Sequence, residues 1–146
     1  METELKHIEI LLIEDNLNDA ELTMRVLKKN NVVNHILHLK DGEEAINYLF
    51  PEDGMDHNAM PKFILLDLKL PKVDGMQILK RLKSNDYTKF IPVVVLTSSQ
   101  EERDLVESYK LGVNSYIMKP VEFEKFTNAV STLGLYWLLL NQFPKS

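Results

Sequence analysis

Cysteine is absent from this 146-residue chain, and so is any hydrophobic run long enough to cross a membrane. Without thiols there is no disulfide framework, no cysteine nucleophile and no cysteine-ligated metal site, and a reducing compartment is compatible with the composition. The longest apolar run, Leu135 to Leu140, has six residues, whereas a membrane-spanning helix needs about 20. The charged N-terminus, Met1 to Lys6, carries no apolar signal core. We therefore expect a cytoplasmic protein without membrane association.

Excess positive charge and phosphate-binding glycine loops are also missing. The 17 basic residues are outnumbered by 22 acidic ones, for a net charge of -5, and they are scattered along the chain. Nucleic acid is therefore not expected as a partner. Neither of the two common glycine-rich phosphate-binding motifs occurs, which disfavours a flavin or nucleotide carrier. The histidines lack metal-ligand spacing and are expected at the surface or on an edge strand: His7, His35, His38 and His57.

What the chain does contain is a regular alternation of strand-like and helix-like segments. Apolar runs predict strands near 8–13, 34–39, 63–67, 91–96 and 115–118. Helices are predicted to begin near Asn18, after Asp41-Gly42, at Asp74-Gly75 and after Ser98-Ser99, with a fifth over 121–140. The alternation is typical of βαβ units. It predicts a single α/β domain over 1–146, a doubly wound five-stranded parallel sheet of order 2-1-3-4-5 with five helices.

Acidic residues end two of the predicted strands. Glu14 and Asp15 follow the first strand, and Asp67 ends the third. These strands are neighbours at the switch point of such a sheet, so the three carboxylates should meet there. Two like charges about 4 Å apart repel by roughly 1 to 4 kcal/mol, so the cluster needs a cation or raised pKa values. A divalent metal is the simpler answer. Strands four and five should deliver Thr97 and Lys119 to the same rim.

This set of residues, Glu14-Asp15, Asp67, Thr97 and Lys119-Pro120, resembles the receiver domain of bacterial two-component response regulators. Leu70-Pro71 and Asp74-Gly75 extend the resemblance, which covers nearly the whole chain and implies a flavodoxin-like fold. It implies that Asp67 is a phosphoacceptor for the phosphohistidine of a sensor histidine kinase. The chain would then be a signalling protein that autodephosphorylates slowly, and not an enzyme.

The resemblance also implies a role for each remaining position. Mg²⁺ would be held by Glu14, Asp15, Asp67 and the backbone carbonyl of Lys69. The family often has Asp where this chain has Glu14. Lys119 would pair with the acceptor and then with phosphate, after a cis bond to Pro120. Thr97 would donate to a phosphate oxygen, and Tyr116 would be the aromatic residue that changes position with it.

The C-terminal segment, 133–146, is apolar around most of a helix and is predicted to be the extended hydrophobic end of the last helix and a tail. Four of its residues are candidates for an exposed interface patch: Leu135, Tyr136, Leu138 and Leu139. We expect a homodimer formed through the fourth helix, fifth strand and fifth helix. The alternative is that the tail folds back over the core.

A narrower resemblance concerns the partner. The Pro51–Pro61 insertion, the Leu68-Lys69-Leu70-Pro71 run and the aromatic last helix look like single-domain response regulators paired with cyanobacterial and bacterial phytochrome kinases. The competing function is a Mg²⁺-dependent aspartyl-phosphate phosphatase on a similar fold. Such enzymes typically carry a second Asp two residues beyond the nucleophile, and here that position is Lys69.

Overall fold

Five parallel strands form one sheet in the order β2-β1-β3-β4-β5, which confirms the predicted topology. The structure is a computed structural model, and it describes residues 10–29, 35–54, 60–97, 110, 115–122, 124–125 and 128. The strands are β1 (Ile10–Ile13), β2 (Ile36–Leu39), β3 (Phe63–Asp67), β4 (Val93–Thr97) and β5 (Ser115–Met118). The helices bounded within these residues are α1 (Leu17–Lys29), α2 (Gly42–Leu49) and α3 (Gly75–Ser84).

The central strands are apolar because both of their faces are covered. All four residues of β1 and all five of β3 are buried. Strands buried on both sides read as continuous hydrophobic runs, as these do. In the register of the sheet, Ile13 is paired with Leu66, and Asp67 with Leu96. The carboxyl ends of β1 and β3 therefore lie at the same level, which places the residues that follow them side by side.

Among the helices that the structure describes, α1 covers one face of the sheet, and α2 and α3 cover the other. On one face, Ala20 and Leu27 of α1 pack with alternate residues of the central strands. On the other face, α2 contributes Ala45 and Leu49. Helix α3 adds three fully buried residues to that second face: Ile78, Leu79 and Leu82. Each of these three helices therefore directs an apolar face towards the sheet.

The start of α1 differs from the prediction. Asn16, and not Asn18, caps the helix: its Oδ1 accepts a hydrogen bond from the Asp19 N–H at 2.9 Å, and its carbonyl accepts one from Ala20 at 2.9 Å. Both asparagines are good capping residues by type, and only the position of the turn after β1 distinguishes them. The helix consequently begins two residues beyond Asp15. Helix α2 begins at Gly42, one residue earlier than predicted, and Asp41 caps it by accepting from the Glu44 N–H at 2.8 Å.

Gly75 allows α3 to begin directly against the end of β3. A Cβ atom at this position would lie 2.4 Å from the carbonyl oxygen of Asp67, a distance that real Cβ atoms do not show. The Gly75 N–H donates to the carbonyl of Leu68 at 3.1 Å. The first turn of α3 is thereby joined to the backbone of the strand that carries Asp67.

Several predictions concern segments outside the described residues. They include the start of the fourth helix at Ser98-Ser99, most of the fifth helix, and the whole segment 133–146 with Leu135, Tyr136, Leu138 and Leu139. The interior of the Pro51–Pro61 loop, residues 55–59, lies outside them as well. Strand β4 begins at Val93, two residues later than predicted. Within the part of the chain that is described, no helix combines the length and apolarity needed to cross a bilayer.

Candidate functional site

The ends of β1 and β3 bring three carboxylates together. Glu14 and Asp15 follow β1, and Asp67 is the last residue of β3. One carboxylate oxygen of each lies within 4.8 Å of the other two. Glu14 and Asp67 are buried, at 0% and 2% exposure, whereas Asp15 is exposed. The predicted meeting of the three acids is present in the structure, with one of them open to solvent.

Lys119 places its ammonium among these acids. Its Nζ lies 2.8 Å from Glu14 Oε1 and 3.2 Å from Asp67 Oδ2, and it also donates to Glu14 Oε2 at 3.0 Å. The side chain is only 12% exposed. It comes directly after β5, and the Lys119-Pro120 peptide bond is cis, as the resemblance implied. The structure therefore brings together the residues of strands one, three and five that the sequence singled out.

Burial and the neighbouring charges shift the pKa values of Glu14 and Lys119. Burial raises the pKa of Glu14 to about 7, because desolvation together with the nearby Asp67 outweighs the hydrogen bond from Lys119. Burial would lower the pKa of Lys119, but its hydrogen bond to Glu14 and the negative charges of Asp67 and Glu14 outweigh burial and raise that pKa above its ordinary value. The ammonium is therefore held firmly in its charged form.

Local backbone groups orient the two buried carboxylates. Asp67 Oδ1 accepts a hydrogen bond from the Lys69 N–H at 3.1 Å, and Glu14 Oε2 accepts one from the Asn16 N–H at 3.2 Å. In each case the donor lies two residues further along the chain, in the turn that leaves the strand. The side chain of Lys69 is exposed. Each turn therefore fixes the carboxylate that precedes it.

Two residues that contact this site, Asp19 and His38, were not identified from the sequence. Asp19, in the first turn of α1, contacts Lys119 Nζ through Oδ2 at 3.1 Å. The Nε2 atom of His38 lies 2.8 Å from the backbone carbonyl oxygen of Glu14, so this nitrogen carries the proton. The expectation of an edge strand is confirmed for His38, which lies on β2. Its contact with Glu14 has no signal in the local sequence.

Two predicted residues lie at the adjacent strands. Thr97 is the last residue of β4 and is paired in register with Met118 of β5. The backbone of Thr97 therefore lies at the same end of the sheet as Lys119. The side chain of Thr97 is outside the part of the chain that the structure describes. Tyr116 is half-buried on β5 and packs against the core on the face covered by α2 and α3. The predicted placement of Tyr116 next to β4 agrees with its pairing to Val95.

The acids are chemically suited to a hard divalent cation. All three are oxygen donors, the set that Mg²⁺, Ca²⁺ and Mn²⁺ prefer. Glu14 Oε1 is buried and, although close to the Lys119 ammonium, accepts no hydrogen bond in the described part of the chain. Three carboxylates, those of Glu14, Asp19 and Asp67, contact one ammonium, and Asp15 lies beside Glu14 and Asp67. This surplus of negative charge fits a cation.

Comparison with known proteins agrees with this geometry. The family profile of the response regulator receiver domain matches residues 10–131. The chain is 42% identical over 135 residues to the probable methanogenesis regulatory protein FilR2 of Methanothrix harundinacea, covering 92% of this chain and 86% of that protein. It is 39% identical over 129 residues to the response regulator Rcp1 of Synechocystis, covering 88% of each.

Solved structures of receiver domains have the same fold. The bacteriophytochrome response regulator AtBRR is 47% identical with a TM-score of 0.77, over 94% of this chain and all of that one. The Mn²⁺-bound form of Rcp1 is 36% identical with a TM-score of 0.72, over 94% of this chain and 99% of that one. The phosphorylated cyanobacterial phytochrome response regulator RcpA is 40% identical with a TM-score of 0.74, over 96% of this chain and 100% of that one. The chain belongs to the response regulator receiver domain family.

Proposed function

We propose that this protein accepts a phosphoryl group on Asp67 from the phosphohistidine of a sensor histidine kinase. The observation that carries the proposal is the position of Asp67 Oδ2, 3.2 Å from the ammonium of Lys119 and beside two further carboxylates. Family membership supports the same assignment. A phosphatase would typically carry an acid two residues beyond the nucleophile, where this chain has the exposed Lys69.

In the proposed reaction, a carboxylate oxygen of Asp67 attacks the phosphorus atom. The new oxygen–phosphorus bond forms as the bond from phosphorus to the imidazole nitrogen of the donor breaks, and that nitrogen leaves with the electron pair and is protonated. Phosphoryl transfer requires in-line positioning and balancing of charge on the equatorial oxygens. Lys119 is suited to this, because its ammonium already contacts the acceptor and its stem can follow the phosphoryl group.

Mg²⁺ is the proposed cofactor. Glu14, Asp15, Asp67 and the backbone carbonyl of Lys69 are its proposed ligands, and the ion would neutralise charge on the transferring group. The neighbouring Mn²⁺-bound structure of Rcp1 supports a divalent ion in this family. Asp15 is suited to direct coordination because it is exposed and therefore open to a hydrated ion, whereas Glu14 is buried.

The proposed output is a change in the surface near β4 and β5. Thr97 would donate its hydroxyl to a phosphate oxygen, and Tyr116 would change position in response. In support, Thr97 ends β4 at the acidic rim, and Tyr116 lies on the neighbouring strand β5, which is at the edge of the sheet.

The proposed partner is a phytochrome-type kinase in the cytoplasm. Support comes from AtBRR and RcpA, whose names associate them with phytochromes. The test is phosphotransfer from a purified, autophosphorylated phytochrome kinase compared with a histidine kinase of another class at equal concentration. We expect transfer from the phytochrome kinase to be faster by about tenfold or more. This ratio corresponds to a difference of about 1.4 kcal/mol or more in activation free energy between the two kinases. Equal rates would contradict this partner.

We also propose that the protein forms a homodimer through the fourth helix, fifth strand and fifth helix, with Leu135, Tyr136, Leu138 and Leu139 at the interface. The support is the apolar character of this segment in the sequence. The mass in solution at micromolar concentration, measured by light scattering, should be that of two chains. The substitution Leu138→Glu should reduce it to one chain, and a wild-type monomer, phosphorylated or not, would rule the dimer out.

The central test is labelling by a small-molecule phosphodonor. In acetyl phosphate and Mg²⁺, intact mass spectrometry should show the gain of one phosphoryl group on the wild type and none on Asp67→Asn. The same reaction in EDTA should give little label if the cation is required. Labelling of Asp67→Asn to the wild-type extent would place the acceptor elsewhere and overturn the proposal.

A further inference from the structure

Lys119 has one carboxylate partner that does not belong to the candidate metal ligands. Its Nζ lies 3.1 Å from Asp19 Oδ2, in addition to its contacts with Glu14 and Asp67. Asp19 is absent from the group of acids whose oxygens could hold one ion. An ammonium has three N–H donors, and each can be directed at one of the three carboxylates. Asp19 therefore differs from the other two partners, because it is not among the acids that an ion at this site would use.

The position of Asp19 is independent of the strands that carry the other acids. It lies in the first turn of α1, where its N–H is bonded to Asn16 Oδ1 at 2.9 Å. Lys119 comes from the end of β5, 100 residues away in the chain. The contact thus joins the start of α1 to the turn after β5. The side chain of Asp19 is 38% exposed and in contact with solvent, whereas that of Lys119 is only 12% exposed.

Binding of an ion to Glu14 and Asp67, or phosphorylation of Asp67, would change the contacts of the Lys119 ammonium. An ion held by Glu14 and Asp67, or a phosphoryl group on Asp67, would take up carboxylate oxygens that now contact the ammonium. A lysine ammonium is a compact charge on a flexible stem, and without a fixed partner it would move into solvent or compete for the same oxygens. Asp19 is the described carboxylate that would remain in contact with it.

We propose that Asp19 is a positioning residue that holds the Lys119 ammonium beside Asp67 and limits its competition with a cation for Glu14 and Asp67. The proposal rests on the proposed function, because it assumes a divalent cation and a phosphoacceptor at this site. The acid in the first turn of α1 also has a simpler role, a favourable interaction with the helix dipole. The two roles predict different dependence on Lys119, since the dipole interaction does not involve that residue.

The test is a double-mutant cycle read by Mn²⁺ affinity, measured by electron paramagnetic resonance titration. Asp19→Asn should raise the Mn²⁺ dissociation constant about fivefold, the size expected for one partly exposed charged pair. In the Lys119→Met background, where no ammonium competes, the same substitution should change it by less than about twofold. Asp19→Glu keeps the charge and should stay within about twofold of the wild type.

Glu21→Gln is the matched control. It removes one negative charge from the same helix at an exposed position, where the carboxylate of Glu21 pairs with Arg25. It should change the Mn²⁺ dissociation constant by less than about twofold, because exposed charges at a distance are screened by salt. Circular dichroism of each variant checks that α1 is intact, and Asp19→Ser replaces Asp19→Asn if that variant does not fold.

The initial rate of labelling by acetyl phosphate is the second measurement. Asp19→Asn should slow it about threefold to tenfold, and Glu21→Gln should not change it. An equal effect of Asp19→Asn in the wild type and in Lys119→Met, or an equal effect of Glu21→Gln, would overturn the role of Asp19. If the wild type itself neither binds Mn²⁺ nor is labelled on Asp67, the proposed function fails instead, and the two failures are thereby distinguished.

Discussion

Two lysines at opposite ends of the parallel strands, Lys83 near the start of β4 and Lys119 after the end of β5, have different kinds of partner. Lys83, near the end of α3, donates through Nζ to the backbone carbonyls of Lys89 and Ile91 at 3.3 Å and 3.1 Å. Burial lowers its pKa. Lys119, at the carboxyl edge, has carboxylate partners, and its pKa is raised although burial acts against it. The neutral carbonyl partners of Lys83 belong to the segment before β4. The carboxylate partners of Lys119 keep its ammonium charged beside Asp67.

The largest expected difference between the two lysines is in phosphoryl transfer. Lys119→Met should lower the initial rate of Asp67 labelling by acetyl phosphate about 100- to 1,000-fold, the effect of removing one donor that stabilises developing charge. Lys83→Met should leave that rate within about twofold, because Lys83 contacts the segment before β4 and not the acids at the ends of the strands. Quench-flow samples analysed by intact mass give both rates. Similar losses for the two variants would mean that Lys119 acts only through stability.

The next difference is in folding stability without metal. In EDTA, Lys119→Met should lower the free energy of unfolding by about 3 kcal/mol, because Glu14 and Asp67 are left buried without their cation. Lys83→Met should lower it by about 1 kcal/mol, the typical net contribution of hydrogen bonds to partly solvated carbonyls. Urea denaturation measures both. Addition of Mg²⁺ should recover more stability for Lys119→Met, and equal recovery in the two variants would contradict this account.

The smallest expected effect is a change of folding stability with pH that is due to Glu14. Glu14 is a buried acid that contacts Lys119, whereas Lys83 donates to backbone carbonyls. The pKa of Glu14 is about 7 in the folded protein against an ordinary value of 4.5. The folded state therefore binds more protons than the unfolded state between these values, so this residue makes stability fall as pH rises from 4.5 to 7. In EDTA, the difference between wild type and Glu14→Gln should change by about 2 kcal/mol over that range.

A pH-independent difference between wild type and Glu14→Gln would show that Glu14 titrates as an ordinary glutamate. Subtracting the Glu14→Gln curve removes the contributions of carboxylates that do not contact Glu14, because they are common to both proteins. The comparison is made by urea denaturation at several pH values in one buffer of constant ionic strength.

The central strands and the meeting of the acids could be predicted because each signal is local and strong. β1 and β3 read as apolar runs ending in acids, and a parallel sheet brings such ends together. The first residues of β4 and α1 were predicted less accurately than the strands themselves. β4 begins at Val93 because Pro92, which has no N–H, cannot donate to the ladder, although its carbonyl accepts from Ile64. The cap of α1 depended on a turn that propensity alone could not place.

The contacts of Asp19 and His38 could not be predicted for a different reason. An acid in the first turn of a helix is explained by the helix dipole, so Asp19 gave no separate signal. Its partner Lys119 is 100 residues away, and the distance between them depends on how α1 leaves the sheet. His38 likewise meets the backbone of Glu14 and not a side chain. Such contacts arise from packing, which residue types do not specify.

Gly75 restricts which sequences this site can tolerate. Because a single added methyl group would collide with the carbonyl of Asp67, any other residue must separate α3 from the end of β3. A library randomised at position 75 and selected for labelling on Asp67 should therefore return glycine alone. At the exposed Gly54, an added methyl group would meet no described atom within 4 Å, so a library there is limited by the backbone angle. The absence of a side chain at Gly75 therefore sets the spacing between α3 and Asp67.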